Sequence, residues 1–122
     1  MKKMQNQLSG FYEMNVSLLD VTSPYNVNRL EKKIHRSMRI IIKLKDLIKN
    51  QGVYLRLSGQ EMVRCARVFK RIMDIQDEFV DLDRNTTVNL HEKLSDLNRG
   101  INESYQPLKE VQKLILEKRD ES

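Results

Sequence analysis

Residues 24–50 read PYNVNRLEKKIHRSMRIIIKLKDLIKN. Val27, Leu30, Ile34, Ser37, Ile41, Leu44 and Ile48 recur in steps of three and four. That spacing places them on one face of an α-helix, in the heptad phase that packs against a neighbouring helix. Ser37 is the polar interruption. Met38, Ile40, Ile42 and Leu47 widen the apolar surface, so the helix is expected to touch more than one neighbour. Ser23 before Pro24 reads as an N-cap followed by proline at the first helical position. Asn28, with Glu31 three residues on, is an alternative start. Asn50-Gln51-Gly52 closes the segment, because glycine readily takes the left-handed conformation that ends helices.

Outward from this stretch, the same period returns. Val53-Tyr54-Leu55-Arg56-Leu57 alternates like a strand, but one strand without a partner makes no sheet, and an extended connection is expected. Ser58-Gly59-Gln60-Glu61 is a capping box. It opens a helix over about 59–83, with Met62, Cys65, Ala66, Phe69, Ile72, Met73, Phe79 and Val80 on its apolar face. Arg84-Asn85-Thr86-Thr87 is a break. Over about 87–119, Leu90, Leu94, Leu97, Ile101, Ser104, Leu108, Val111 and Ile115 keep a heptad rhythm. The phase passes through Gly100 and Pro107 without a shift, which predicts one kinked helix rather than two short ones. Met4, Leu8, Phe11, Met14 and Leu18 predict a further helix over about 2–20. The expected fold is all-α, a single domain: an antiparallel three- or four-helix bundle with a long, kinked C-terminal heptad helix.

Composition fits that class and excludes others. The 122 residues are 39% hydrophobic and 32% charged, with four Gly and two Pro. That is too apolar and too poor in breakers for a disordered or collagen-like chain. No apolar run approaches a membrane span. The basic start lacks the apolar run of a secretory signal. With a single cysteine, no internal disulfide can form, and an intracellular location, cytoplasmic or nuclear, is expected. The three Asn-x-Ser/Thr sites are then chance matches.

The net charge of +5 is unevenly spread. Residues 1–50 hold ten basic and four acidic side chains, while residues 84–122 balance at seven each. A fold-back of 24–50 on 59–83 brings residue i near residue 109 − i. Arg29, Lys32, Lys33 and Arg36 would then face Asp74, Asp77, Glu78 and Asp81. Lys43, Lys45, Lys49, Arg56, Arg64, Arg67, Lys70 and Arg71 would collect at the hairpin tip, against only Asp46 and Glu61. Such a patch suits phosphates, anionic lipid headgroups or an acidic partner. Tyr54 is the only aromatic beside it, whereas single-strand binders interleave several.

The residues that carry chemistry are scattered. His35 and His91 lie far apart with no ligand-spaced neighbour. Cys65 sits in an apolar stretch, where a small buried thiol is ordinary. There is no phosphate-binding glycine loop and no nucleophile–base pairing, so neither an enzyme nor a cofactor is expected. The long last segment outlasts its neighbours, and Val111, Leu114, Ile115 and Leu116 near its end exceed what a short bundle covers. The expected function is therefore a non-enzymatic helical protein–protein interaction subunit, an adaptor or scaffold in a homo- or hetero-oligomer. Leu8, Phe11, Leu97, Ile101, Leu108, Val111 and Ile115 would carry the contact. The alternative is a nucleic-acid-binding accessory protein, or one bound to an anionic surface, using the tip cations.

Overall fold

A computed structural model describes residues 23–83 and 88–121. The segment predicted over 2–20 lies outside the described residues. The described chain is all-α: helix α1 (Pro24–Asn50), a 3-10 turn (Val53–Arg56), α2 (Gly59–Asp81) and α3 (Leu90–Asp120).

Local signals start and stop these helices. The Ser23 hydroxyl accepts the Asn26 backbone N–H at 3.2 Å, and Pro24 opens the first turn, where its missing N–H costs nothing. Gly52 leaves α1 with φ +76°, a conformation that side chains resist. Ser58 and Glu61 close both bonds of the capping box: the hydroxyl accepts from Glu61 N–H, and the carboxylate accepts from Ser58 N–H at 2.8 Å.

Val53–Arg56 is not extended. Leu55 N–H reaches the Gly52 carbonyl at 3.0 Å, and the turn packs on α1 and α3. The reason is Val53, which is fully buried and draws the connection into the end of the core.

α2 and α3 run antiparallel, with Glu61 near Lys118, Arg64 near Glu110 and Arg71 near Glu103. α1 and α3 run parallel, with Lys33 near Asn98 and Asn102, and Leu47 sharing a groove with Leu116. α1 and α2 are antiparallel but displaced from the simple fold-back. Lys45 meets Met73, where fold-back would put residue 64, and Ile34 shares a groove with Phe79. The 3-10 turn carries the chain past the end of α1, so α2 starts further out. The early part of α2 then covers the end of α3, which the sequence left without a neighbour.

The core is the sum of three seams. α1 buries Val27, Leu30, Ile34, Ser37, Ile41 and Leu44; α3 buries Leu94, Leu97, Ile101, Ser104, Leu108, Val111 and Ile115. On α2 the buried face is Cys65, Phe69, Ile72, Ile75 and Phe79. Met62, Ala66 and Val80, expected on that face, are exposed, and Ile75 takes their place. The helix is rolled toward α3, which brings Ile75 against Gly100. A Cβ at Gly100 would stand 3.1 Å from Ile75 Cδ1, a tight contact that the Ile75 side chain would have to relieve by shifting. The Ser104 hydroxyl donates back to the Gly100 carbonyl at 2.8 Å, which satisfies a buried polar group. α3 continues unbroken through Pro107. Each fully buried Ile or Leu contributes roughly 1.5–3 kcal/mol, so packing outweighs exposed ion pairs worth ~0–1 kcal/mol each.

Candidate interaction surfaces

The seam residues expected to hold a partner are used inside the chain. Leu97, Ile101, Leu108, Val111 and Ile115 are all buried, at 4% exposure or less. They join α3 to α1 and α2, and a partner does not reach them in this fold. The heptad phase marked an internal contact, because α2 and α1 supply the neighbouring helices themselves. Leu8 and Phe11 lie outside the described residues.

The eight cations expected at one tip are all exposed but face different ways. Arg64 is held by Glu110 at 2.9 Å, and Arg71 by Glu103 at 3.2 Å, with a further bond to the Ser104 hydroxyl. Lys70 pairs with Asp74 one turn on. Lys45 rests on the Met73 sulfur at 3.6 Å. Lys43 lines the groove between α1 and α3. Lys49, Arg56 and Arg67 have no ion pair among the described residues. Glu110 and Glu103, both on α3, neutralise part of this set.

The expected charge pairing between α1 and α2 is also redrawn. Lys33 donates to the side-chain oxygens of Asn98 and Asn102, at 3.1 and 3.0 Å. Its partial burial, then the nearby Arg29, lowers the Lys33 pKa. Arg29 lies over the Tyr25 ring at 5.6 Å. No ion pair among the described residues joins Arg29, Lys32 or Arg36 to Asp74, Asp77, Glu78 or Asp81. Together with Arg39 and Lys43 these three form a stripe on the outer face of α1, at steps of 3, 4, 3 and 4. All five are exposed. The spacing of the stripe is legible in the sequence as a second heptad phase, displaced from the apolar one, although fold-back sets only Arg29, Lys32 and Arg36 against the acids of the next helix and puts Lys43 at the tip.

Two apolar features remain at the surface. Tyr54, Leu55, Met62 and Val63, in the 3-10 turn and the first turns of α2, are 50%, 75%, 36% and 51% exposed. Ile40, Ile42, Leu47 and Leu116 line a groove between α1 and α3, with Ile42 well exposed.

The described residues offer little reaction chemistry. No group of three or more His, Cys, Asp or Glu among them is placed to hold a metal ion. Cys65 is buried, and burial pushes its thiol pKa up, which disfavours the nucleophilic thiolate. No helix among the described residues is long and apolar enough to cross a membrane. No family model, curated protein or solved structure matches the chain.

Proposed function

We propose that this chain is a non-enzymatic helical interaction subunit, an adaptor or scaffold in a larger intracellular assembly. Its protein contact is the apolar tip formed by Tyr54, Leu55, Met62 and Val63. One observation carries this reading: four large apolar side chains stand exposed within ten residues, at one end of the molecule. Exposed apolar groups gathered in this way mark interfaces more often than solitary ones do. Lys49 and Arg56 beside them would favour a partner with acidic groups around an apolar centre.

The finer architecture belongs to the same reading. A four-helix count would rest on the sequence period of Met4, Leu8, Phe11, Met14 and Leu18 alone, which lie outside the described residues. The long last helix would bend near Pro107, where the ring removes one backbone donor.

The test is quantitative co-purification from the native source, comparing wild type with a Leu55→Asp/Val63→Asp double variant. Loss of a stoichiometric partner, with unchanged helical circular dichroism, supports the tip. Retention of the same partner at the same level refutes it. Light scattering of the purified chain at micromolar concentration separates a homo-oligomer from a mixed assembly. Nucleic-acid binding through the eight tip cations is the weaker alternative, since Arg64, Lys70 and Arg71 are already paired.

A further inference from the structure

Unpaired cations of the described residues include a run along one face of α1, which ends at Lys43 beside the tip. We propose that Arg29, Lys32, Arg36, Arg39 and Lys43 form a binding surface for the phosphate backbone of duplex nucleic acid.

The geometry is that of a single straight track. At 100° per residue the five side chains fall within a sector of about 80°, and from first to last they span ~21 Å. Between Arg29 and Lys43 no other residue falls inside that sector. One strand of a duplex presents a phosphate every ~3.4 Å of axis, so the track faces about six of them. Three of the five are arginines, whose planar fork matches phosphate oxygens.

Among the described residues these charges have no carboxylate partner, and Arg29 alone has a ring contact, over Tyr25. None of the five makes an ion pair among the described residues, and the nearby carboxylates are turned elsewhere. Asp46 accepts from the side-chain amides of Asn50 and Gln51. Glu31 is half-buried and lines the groove toward α2 with Ile34, His35 and Gln76. Five unrelieved cations repel one another, and a polyanion removes that repulsion by releasing its own counterions.

The make-up of the stripe selects among polyanions. A helix that adsorbs to a lipid surface carries apolar side chains to insert, and none falls inside this sector. The centre of a protein interface is depleted of charge, the reverse of this face. Single strands are held by stacking on several aromatics, and here Tyr25 stands alone at one end. A rigid, purely cationic helix face fits a duplex backbone, read without regard to base sequence. This surface is separate from the tip contact, and either can fail without the other.

The test is fluorescence anisotropy of the full chain with a labelled 20-base-pair duplex, one arm DNA and one arm RNA, across 50–200 mM salt. Binding of at least one duplex is expected, with a log–log salt slope of about −4.5 for DNA. Arg29→Gln/Lys32→Gln/Arg36→Gln/Arg39→Gln/Lys43→Gln should weaken binding at 50 mM salt by at least about a hundredfold and flatten the slope. Lys45→Gln/Lys49→Gln/Arg56→Gln/Arg67→Gln/Lys70→Gln removes the same charge elsewhere and should change affinity less than about threefold if the stripe holds the phosphates. Should the stripe variant lose helicity, Arg36→Gln alone carries the test, with the slope expected to fall by about one. The proposal is overturned by no binding of either duplex at 50 mM salt, by equal losses in the two variants, or by tighter binding of the matching single strand. Stripe-dependent sedimentation with anionic vesicles in place of duplex binding also overturns it.

Discussion

Two surfaces of this molecule carry similar cations and have different fates. Along the contact between α2 and α3, Arg64 and Arg71 find Glu110 and Glu103, carboxylates 46 and 32 residues away in the chain. Along the outer face of α1, Arg29, Lys32, Arg36, Arg39 and Lys43 find none among the described residues. Sequence fold-back sets Arg29, Lys32 and Arg36 against the acids of α2 and leaves Lys43 and the α2 arginines free. The lesson is that a helix's own composition says how much charge it carries, while its neighbour and its rotation decide whether that charge is compensated.

The difference rests on α3 being core to the fold, and the largest effect tests that footing. Leu108→Ala should lower unfolding free energy by about 3 kcal/mol in urea titration, since it opens a cavity at a buried seam position. If it instead splits an oligomer and leaves the monomer's stability unchanged, the seam is an interface and the comparison breaks.

A smaller effect probes the capping box that starts α2 and sets where its arginines stand. Ser58→Ala should cost about 1 kcal/mol, read from the same titration. The box also carries a pH signature. The Glu61 carboxyl is held below the ordinary carboxylate range, first by the Ser58 backbone N–H and further by Lys118. A depressed folded pKa gives stability that is present above the unfolded pKa and lost as pH falls through the folded value. Thermal unfolding should therefore show an acid-side decline that Glu61→Gln reduces, and an unchanged decline would remove Glu61 from the account.

The smallest effect sharpens the contrast itself. A double-mutant cycle on Arg64→Ala and Glu110→Ala should give a coupling of roughly 0.2–1 kcal/mol that shrinks with salt, because both side chains are half exposed. Lys32→Gln, with no partner to lose, should leave stability within about 0.5 kcal/mol of wild type. A large cost there would mean that the α1 stripe holds the fold together.

Much of the fold was legible in the residues. The α1 seam from Val27 to Leu44 is buried at every step of its three-and-four spacing. Ser23 and Ser58 cap the helices they precede, since a hydroxyl and the third N–H beyond it meet through local geometry alone. On α2 the reading went astray at Met62, Ala66 and Val80, because an apolar face can be rolled by tens of degrees and still look amphipathic. Ile75 joins the core against Gly100 of another helix, a contact that no spacing within α2 announces. Val53 alternates with its neighbours as a strand residue does, and only the space at the end of the core turns it inward. The seam of α3 is legible as a seam, and in the described chain it is buried against α1 and α2, which a heptad phase by itself does not specify.

Periodicity and capping arise from atoms three or four residues apart, so the chain's order of side chains determined by itself that these segments are helices and which stripe of each is apolar. The axial shift of α2 along α1, the inward 3-10 turn, the close approach at Gly100 and the pairing of each cation are relations between segments distant in the chain. Close packing of Ile, Leu and Phe side chains sets those relations, because the core fills well in only one combination of rotation and offset. Tertiary structure therefore decided which charges remained for the outside.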